Sequence, residues 1–335
     1  MQTTKLSRKS KKKYRYKRYR FSPSILKELR RCYSLDNWHG FLEVLEDWVV
    51  VLGSIAISLW AWRNCTTIIG ISIYLLSVVI IGARQHGVAD LLHQAAHRTL
   101  AKNNTLNFLL GTLFSGYLVL QSFTGYTSSH IANHHPYLGN PELDPDYQGL
   151  INSHIYGLGL NRESIVSYLW SLTSPATTLR YLRYLVKHRM FNQDEKLWES
   201  IVRFLYILSL VVLSIWFNFW QEAIAYWIVP LITTASWTGS VVELLEHYPF
   251  MEAAPKVDIY MSRNRFFHPA INFFIGKHWD GYHLIHHLFP GIPSWKYSEA
   301  HGILMKDTVY ANQQKSVGFS SIWDELILNT TVGQS

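Results

Sequence analysis

Four uncharged apolar stretches punctuate the chain, at residues 48–62, 66–83, 204–220 and 223–242. Each is near the ~20 residues an α-helix needs to cross a hydrocarbon core, and the first, being short, is expected to begin within residues 45–50. Only one charge, Arg63, separates the first two, and only Gln221-Glu222 separates the last two. Links this tight predict two helical hairpins, each leaving and returning on the same side. Residues 103–129 also lack Lys, Arg, Asp and Glu, and 106–120 is strongly apolar. A full crossing there would put the polar clusters before and after it on opposite sides. An interfacial or re-entrant helix is therefore predicted, with Gly111, Gly116 and Gly125 permitting bends. Residues 141–200 and 288–335 read as short helices and loops. The expected fold is all-α and integral to the membrane: about four transmembrane helices in two hairpins, interfacial helices and a cytoplasmic histidine-rich cap. The expected organisation is a basic, disordered tail at 1–40, a membrane domain at 41–310 and a C-terminal tail at 311–335.

Composition and charge sharpen this picture. Of the 335 residues, 48% are hydrophobic, 15% aromatic and 16% charged, which excludes a disordered or fibrous chain. Residues 1–31 carry 13 of the 31 Lys and Arg. No apolar stretch follows them closely enough for a secretory signal. Their Lys content argues against a transit peptide, and contact with anionic lipid explains them more simply than a nucleic-acid arm. No nucleic-acid partner is expected. With one Arg in the opposite loops, the charge asymmetry predicts both termini and the polar cap on the cytoplasmic side. Trp48, Trp60, Trp62, Trp220 and Trp227 sit near span ends, as an interfacial belt would. Cys32 and Cys65 are too few and too far apart for a disulfide framework or a cysteine zinc site.

The chemistry lies in the 16 histidines. Nine fall into four clusters, each just beyond a membrane segment: His93-Gln-Ala-Ala-His97, His130-Ile-Ala-Asn-His134-His135, Glu243-Leu-Leu-Glu246-His247 and His283-Leu-Ile-His286-His287. One HxxxH is commonly coincidence. Two different three-histidine spacings beside one membrane face are not, and unliganded imidazoles set among Tyr282, Leu284, Ile285, Leu288 and Phe289 would be costly to bury. Imidazole suits zinc, copper, iron and nickel, and nine exceed the needs of one ion. The HExxH protease motif is absent because Gln94 stands at its Glu position. No Glu-x-x-His of the carboxylate di-iron bundles occurs. A nitrogen-rich pair of redox metals remains, with iron the natural choice for oxygen chemistry.

These boxes resemble those of the integral-membrane fatty acid desaturase and hydroxylase superfamily, which includes acyl desaturases, acyl and alkane hydroxylases and carotenoid oxygenases. Gly281-Tyr282 before the last box, Leu288-Phe289-Pro290 after it, and Leu245-Glu246-His247-Tyr248 add to the likeness. The resemblance implies two iron ions held by His93, His97, His130, His134, His135, His283, His286 and His287, with His247 as a ninth ligand. It implies O2-dependent removal of hydrogen from an unactivated methylene, giving a double bond in a fatty-acyl chain carried as lipid, CoA ester or acyl-carrier protein. Hydroxylation of an acyl, alkane or carotenoid substrate is the alternative. His268-Pro269-Ala270-Ile271 lacks the motif of a fused cytochrome domain, so a separate donor, a ferredoxin or b-type cytochrome, is expected.

Glu243, His86, His278 and His301 are candidates for contacts behind the ligands or through water. The competing reading of Glu243 is a buried carboxylate paired with an Arg. Asp144 and Asp146 are candidates for holding imidazole N–H groups, and Arg84 with Asp90 for an ion pair flanking the first box. His39, His154, His188 and His268 read as surface or packing residues. The rival class is a histidine-rich metal carrier without turnover, disfavoured because the apolar stretches hold no ionisable pathway.

Overall fold

The computed structural model describes residues 16–157, 162–253, 256–316 and 318–328. Four helices are long and apolar enough to cross a membrane: His39–Asn64, Thr67–Ala96, Leu197–Trp216 and Trp220–His247. They pair as two hairpins, and no strand occurs among the described residues. Each helix of the first hairpin outruns its apolar stretch. The first starts at His39 rather than within 45–50, and the second continues to Ala96, lifting the first histidine box above the apolar zone.

Small and hydroxylated residues hold the hairpins together, as expected where lipid removes the hydrophobic drive between helices. Thr234 Oγ1 donates to Val78 O at 2.8 Å, and a Cβ on Gly82 would overlap that hydroxyl. Ser58 and Tyr226 share a hydrogen bond of 2.8 Å. Outward-facing Ile68, Phe204, Ile215 and Trp216 are 63–80% exposed, a surface that only lipid covers favourably.

The fifth apolar segment forms Asn104–Val119 and Phe123–Tyr137, bent by 86° at the break between them. The bend lies at Leu120, in the left-handed region at φ 62°, and not at the three glycines. Those serve close approach. A Cβ on Gly111 would come within 2.2 Å of Ala95 Cβ, on Gly116 within 2.6 Å of Leu92 Cδ2, and on Gly125 within 2.2 Å of Arg189 O. Two of the expected belt tryptophans are half-buried and packed instead. Trp48 and Trp227 stack at 5.4 Å, and their indole N–H groups donate to Phe114 O and Leu118 O, pinning the bent segment to the bundle. Trp60, Trp62 and Trp220 remain exposed.

The flanks expected as tails contain packed structure. Residues 1–15 lie outside the described residues, but Phe21, Ile25, Leu29 and Cys32 are buried against Leu284, Ile285 and Tyr310. The backbone of Lys17 bonds to Lys256 and Asp258. At the other end Ile322 and Leu326, on helix Phe319–Leu328, join a core with Ile165 and Leu244. Charge composition hid these apolar positions at helical spacing.

Candidate metal centre

All nine box histidines converge, and they do so in two groups. One ring nitrogen from each of His93, His97, His130, His135 and His286 lies within 4.8 Å of the others in the first group. His134, His247 and His287 form the second. His283 joins the second, its Nε2 standing 2.9 Å from His247 Nε2 and 3.0 Å from His287 Nε2.

Local helix geometry produces this division. His93 and His97 are one turn apart at the end of a long α-helix and face the same way. Residues Thr127–His134 form a π-helix, whose i→i+5 repeat brings His130 and His135 together at 3.0 Å. His134, next in sequence to His135, points to the other group. In the α-helix His283–Leu288, His283 and His287 share a face while His286 turns to the first group, 2.8 Å from His93 and 2.9 Å from His135. Each adjacent His-His pair therefore serves both groups.

The other imidazole nitrogens are held from behind. Asp90 Oδ1 is 3.0 Å from His93 Nδ1, Asp144 Oδ1 2.9 Å from His134 Nδ1, and Asp146 Oδ2 3.5 Å from His130 Nδ1. Glu246 Oε2 is 3.3 Å from His283 Nδ1, and the Tyr297 hydroxyl 3.3 Å from His286 Nδ1. These acceptors turn the Nε2 lone pairs inward, as partners of metal-binding histidines do. Burial pushes His97, His283, His286 and His287 well below the usual imidazole range, so they are neutral and their lone pairs are free. Burial opposes charge on His134 as well, but Asp144 and Asp146 outweigh it and hold it up to about 9. His97 Nε2 is buried with no hydrogen-bond partner, an orphan that a cation would satisfy. The donor set fits metal ions that accept nitrogen.

The outer candidates separate clearly. His86 Nε2 lies 3.7 Å from Asp280 and lines the cavity beside the histidines. His278 is directed away, its Nε2 2.8 Å from Asp47 Oδ2. His301 bonds the Tyr310 hydroxyl at 2.9 Å and packs on Phe266, outside both groups. Arg84 and Asp90 do not pair: Arg84 is buried against Glu46 at 2.7 Å and Asp47 at 3.0 Å, leaving Asp90 to His93. Glu243 has no arginine within ion-pair distance among the described residues, and its Oε1 is buried without a hydrogen-bond partner.

Sequence reasoning missed Glu246, Arg265, Asp280, Tyr297, Tyr184 and Arg189. Arg265 bridges Glu246 and Asp280, and Arg189 with Tyr184 anchors Asp146. Glu246 adjoins His247, which was a usable signal. The arginines lie far from the boxes in sequence and gave none.

His278 carries a pH prediction. Burial disfavours its charge, but Asp47 prevails and pushes it up to about 10. A folded-state value above the unfolded ~6.5 gives stability that is complete below ~6.5 and lost as pH rises towards 10. Thermal unfolding in detergent should occur at lower temperature as pH rises through that window. His278→Gln should be less stable at neutral pH and should lose much of the dependence.

Beside the histidines lies a cavity of about 400 Å³, walled by the π-helical segment, the polar end of Trp220–His247 and the helix Pro175–Tyr184. Four apolar spans capped by two converging imidazole groups make a membrane protein with a histidine-lined candidate metal centre. The sequence profile of the fatty acid desaturase family matches residues 69–316, and the chain belongs to that family. It is 35% identical over 318 residues to the dihydrorhizobitoxine desaturase of Bradyrhizobium elkanii, covering 91% of this chain and 86% of that protein.

Proposed function

We propose that the chain binds two iron ions and introduces a carbon–carbon double bond into the aliphatic chain of an acyl-type substrate. The observation that carries this is the sorting of nine imidazoles into two facing groups. His93, His97, His130, His135 and His286 would hold one ion, and His134, His247, His283 and His287 the other. When bound, the pair would supply activation of O2 for hydrogen removal. The balance requires an external reductant. The substrate gives up two hydrogens, O2 becomes two waters, and a separate donor such as a ferredoxin or b-type cytochrome supplies two electrons, with two protons from solvent.

The protein's own groups set the conditions. Asp90, Asp144, Asp146 and Glu246 fix imidazole orientation. Arg265 pairs with Glu246 and Arg189 with Asp146, which permits burial of those two carboxylates. Tyr126 and Tyr184 flank Arg189 and wall the cavity. We place the histidine cap and both termini on the cytoplasmic side, a reading supported by the basic residues preceding the first span. The named relative is a desaturase, which supports desaturation as the reading taken here.

The test is to express the protein with reducing partners and profile acyl products by mass spectrometry. Products two mass units lighter, dependent on O2, are expected; products sixteen units heavier would instead establish hydroxylation. Asp144→Ala should weaken metal binding roughly 10–100-fold, the usual cost of removing the partner of a ligand. Competition with a graded chelator series measures this directly.

A further inference from the structure

Behind the first histidine box, a line of hydrogen bonds runs from the start of the helix His39–Asn64 to His93. Ser294 Oγ lies 2.9 Å from Glu43 Oε1 and 3.0 Å from Gln94 Oε1. Gln94 Nε2 donates to Asp90 Oδ2 at 2.9 Å, and Asp90 Oδ1 is 3.0 Å from His93 Nδ1. A hydroxyl donates only once, yet Ser294 stands between two oxygens. One of its two contacts therefore needs a hydrogen from the other partner. Gln94 cannot supply it, because its N–H is turned to Asp90 and its oxygen faces Ser294. Asp90 already accepts at both oxygens. Glu43 is left as the carrier: its carboxyl O–H donates to Ser294, and Ser294 donates to Gln94. The other carboxyl oxygen agrees. Glu43 Oε2 is buried without a hydrogen-bond partner among the described residues, and His278 Nδ1, at 4.0 Å, is too far to bond it. A neutral carboxyl tolerates that isolation better than a carboxylate. The cations around it are already partnered: His278 with Asp47, Arg84 with Asp47 and Glu46, Lys296 with Glu299. Asp90 adds a negative group beyond Gln94.

The line has an inlet and an outlet. The Glu43 side chain is 12% exposed, and Leu42 and Glu46 beside it on the helix are exposed, so rotation of the side chain brings the carboxyl to solvent. At the other end, Ser294 and Gln94 line a small polar chamber of about 10 Å³, whose walls include His93, His97, His286 and Tyr297. That is room for a single water, and the lining supplies its hydrogen-bond partners. We propose that Glu43 is the proton inlet of the metal centre, passing a proton through Ser294 to a water in this chamber, beside the first imidazole group. The Glu43 O–H bond breaks as the Ser294 oxygen accepts that proton and releases its own to the water. The carboxylate left behind takes the next proton from bulk solvent, and no electron moves in this step. The proposal rests on the desaturase reading, whose balance takes two protons from solvent for each double bond. Glu43 touches no ligand and acts only through Ser294.

The experiment uses the full-length protein in lipid nanodiscs. Infrared spectra at neutral pH should contain the C=O band of a buried, protonated carboxyl. Glu43→Gln should remove that band, and Ser294→Ala should shift it by taking away its hydrogen-bond partner. The iron-loaded protein is then reduced chemically and given a pulse of O2 in weakly buffered solution with a pH indicator, so that proton uptake is read without reference to any acyl product. Uptake should slow about 100-fold in both variants, the lower end of what a positioned proton-transferring side chain contributes. Iron content should be unchanged. Added formate, a small mobile acid, should restore part of the rate to Glu43→Gln, which a purely structural role would not allow. Ser294→Ala decides the matter if the Glu43 variant does not fold. An unchanged carboxyl band in Glu43→Gln, wild-type uptake in both variants, or no proton uptake by the wild type would overturn the proposal. So would loss of iron from both variants, which would make the line a support for His93. The two readings fail separately. Glu43-dependent proton uptake without products two mass units lighter would count against desaturation but leave the inlet standing. Desaturation at the wild-type rate in both variants would do the reverse.

Discussion

His286→Ala is expected to abolish desaturation and to lower the iron content of the purified protein. Its Nε2 lies 2.8 Å from His93 Nε2 and 2.9 Å from His135 Nε2, so it occupies the centre of the first imidazole group. It lies on the same helix that carries His283 and His287 into the second group. Removing it takes one donor from the first group and leaves a space among the remaining imidazoles. The loss of turnover should exceed the roughly 10–100-fold that follows removal of an outer partner of a metal ligand. His301→Gln is the matched control. His301 bonds Tyr310 and touches neither group, so iron content and turnover should stay near wild type. Iron quantification and oxygen uptake with the reduced donor, measured on both variants at equal protein concentration, check the contrast.

The largest effect on stability is expected at Arg265. This side chain is fully buried and donates to Glu246 at 2.7 and 3.0 Å and to Asp280. Its backbone N–H also bonds Gly281 O at 2.8 Å, joining the segment before the last histidine box to that box. Carboxylates on both sides hold the guanidinium above its ordinary range despite burial. Arg265→Met would leave two buried carboxylates without their counter-charge, a change that costs about 3–5 kcal/mol. Glu246 also orients His283, so metal binding should weaken together with folding. Arg265→Lys should recover only part of either, because an ammonium cannot reproduce the planar fork that reaches both acids. Thermal unfolding in detergent, with chelator resistance measured alongside, separates the two consequences.

Much of this was legible in the chain. Uncharged runs bounded by single charges gave both hairpins, since the cost of a charge in hydrocarbon leaves a plain trace in sequence. The nine histidines were readable because two unusual spacings recur at equivalent places. Other features depend on contacts between distant residues. Gly111, Gly116 and Gly125 looked like hinges, yet they admit Ala95, Leu92 and Arg189, which no local pattern reports. Trp48 and Trp227 looked like belt residues, yet they stack on each other and hold the bent segment through their indole N–H groups. The basic character of residues 1–31 concealed Phe21, Ile25 and Leu29, whose burial depends on the last histidine helix. The division of His134 and His135 between the two groups follows from a π-helical turn, and helical period alone does not announce such a turn.

On the proposed function, nine histidines hold two iron ions in one chain. The most direct measurement is iron quantification on protein purified from iron-supplied cells, combined with Mössbauer spectroscopy of the ⁵⁷Fe-enriched sample. Two irons per chain are expected in nitrogen-rich, sulfur-free sites, with His286→Ala and His287→Ala each perturbing a different one. A single ion per chain, or zinc filling the site while iron is excluded, would contradict it.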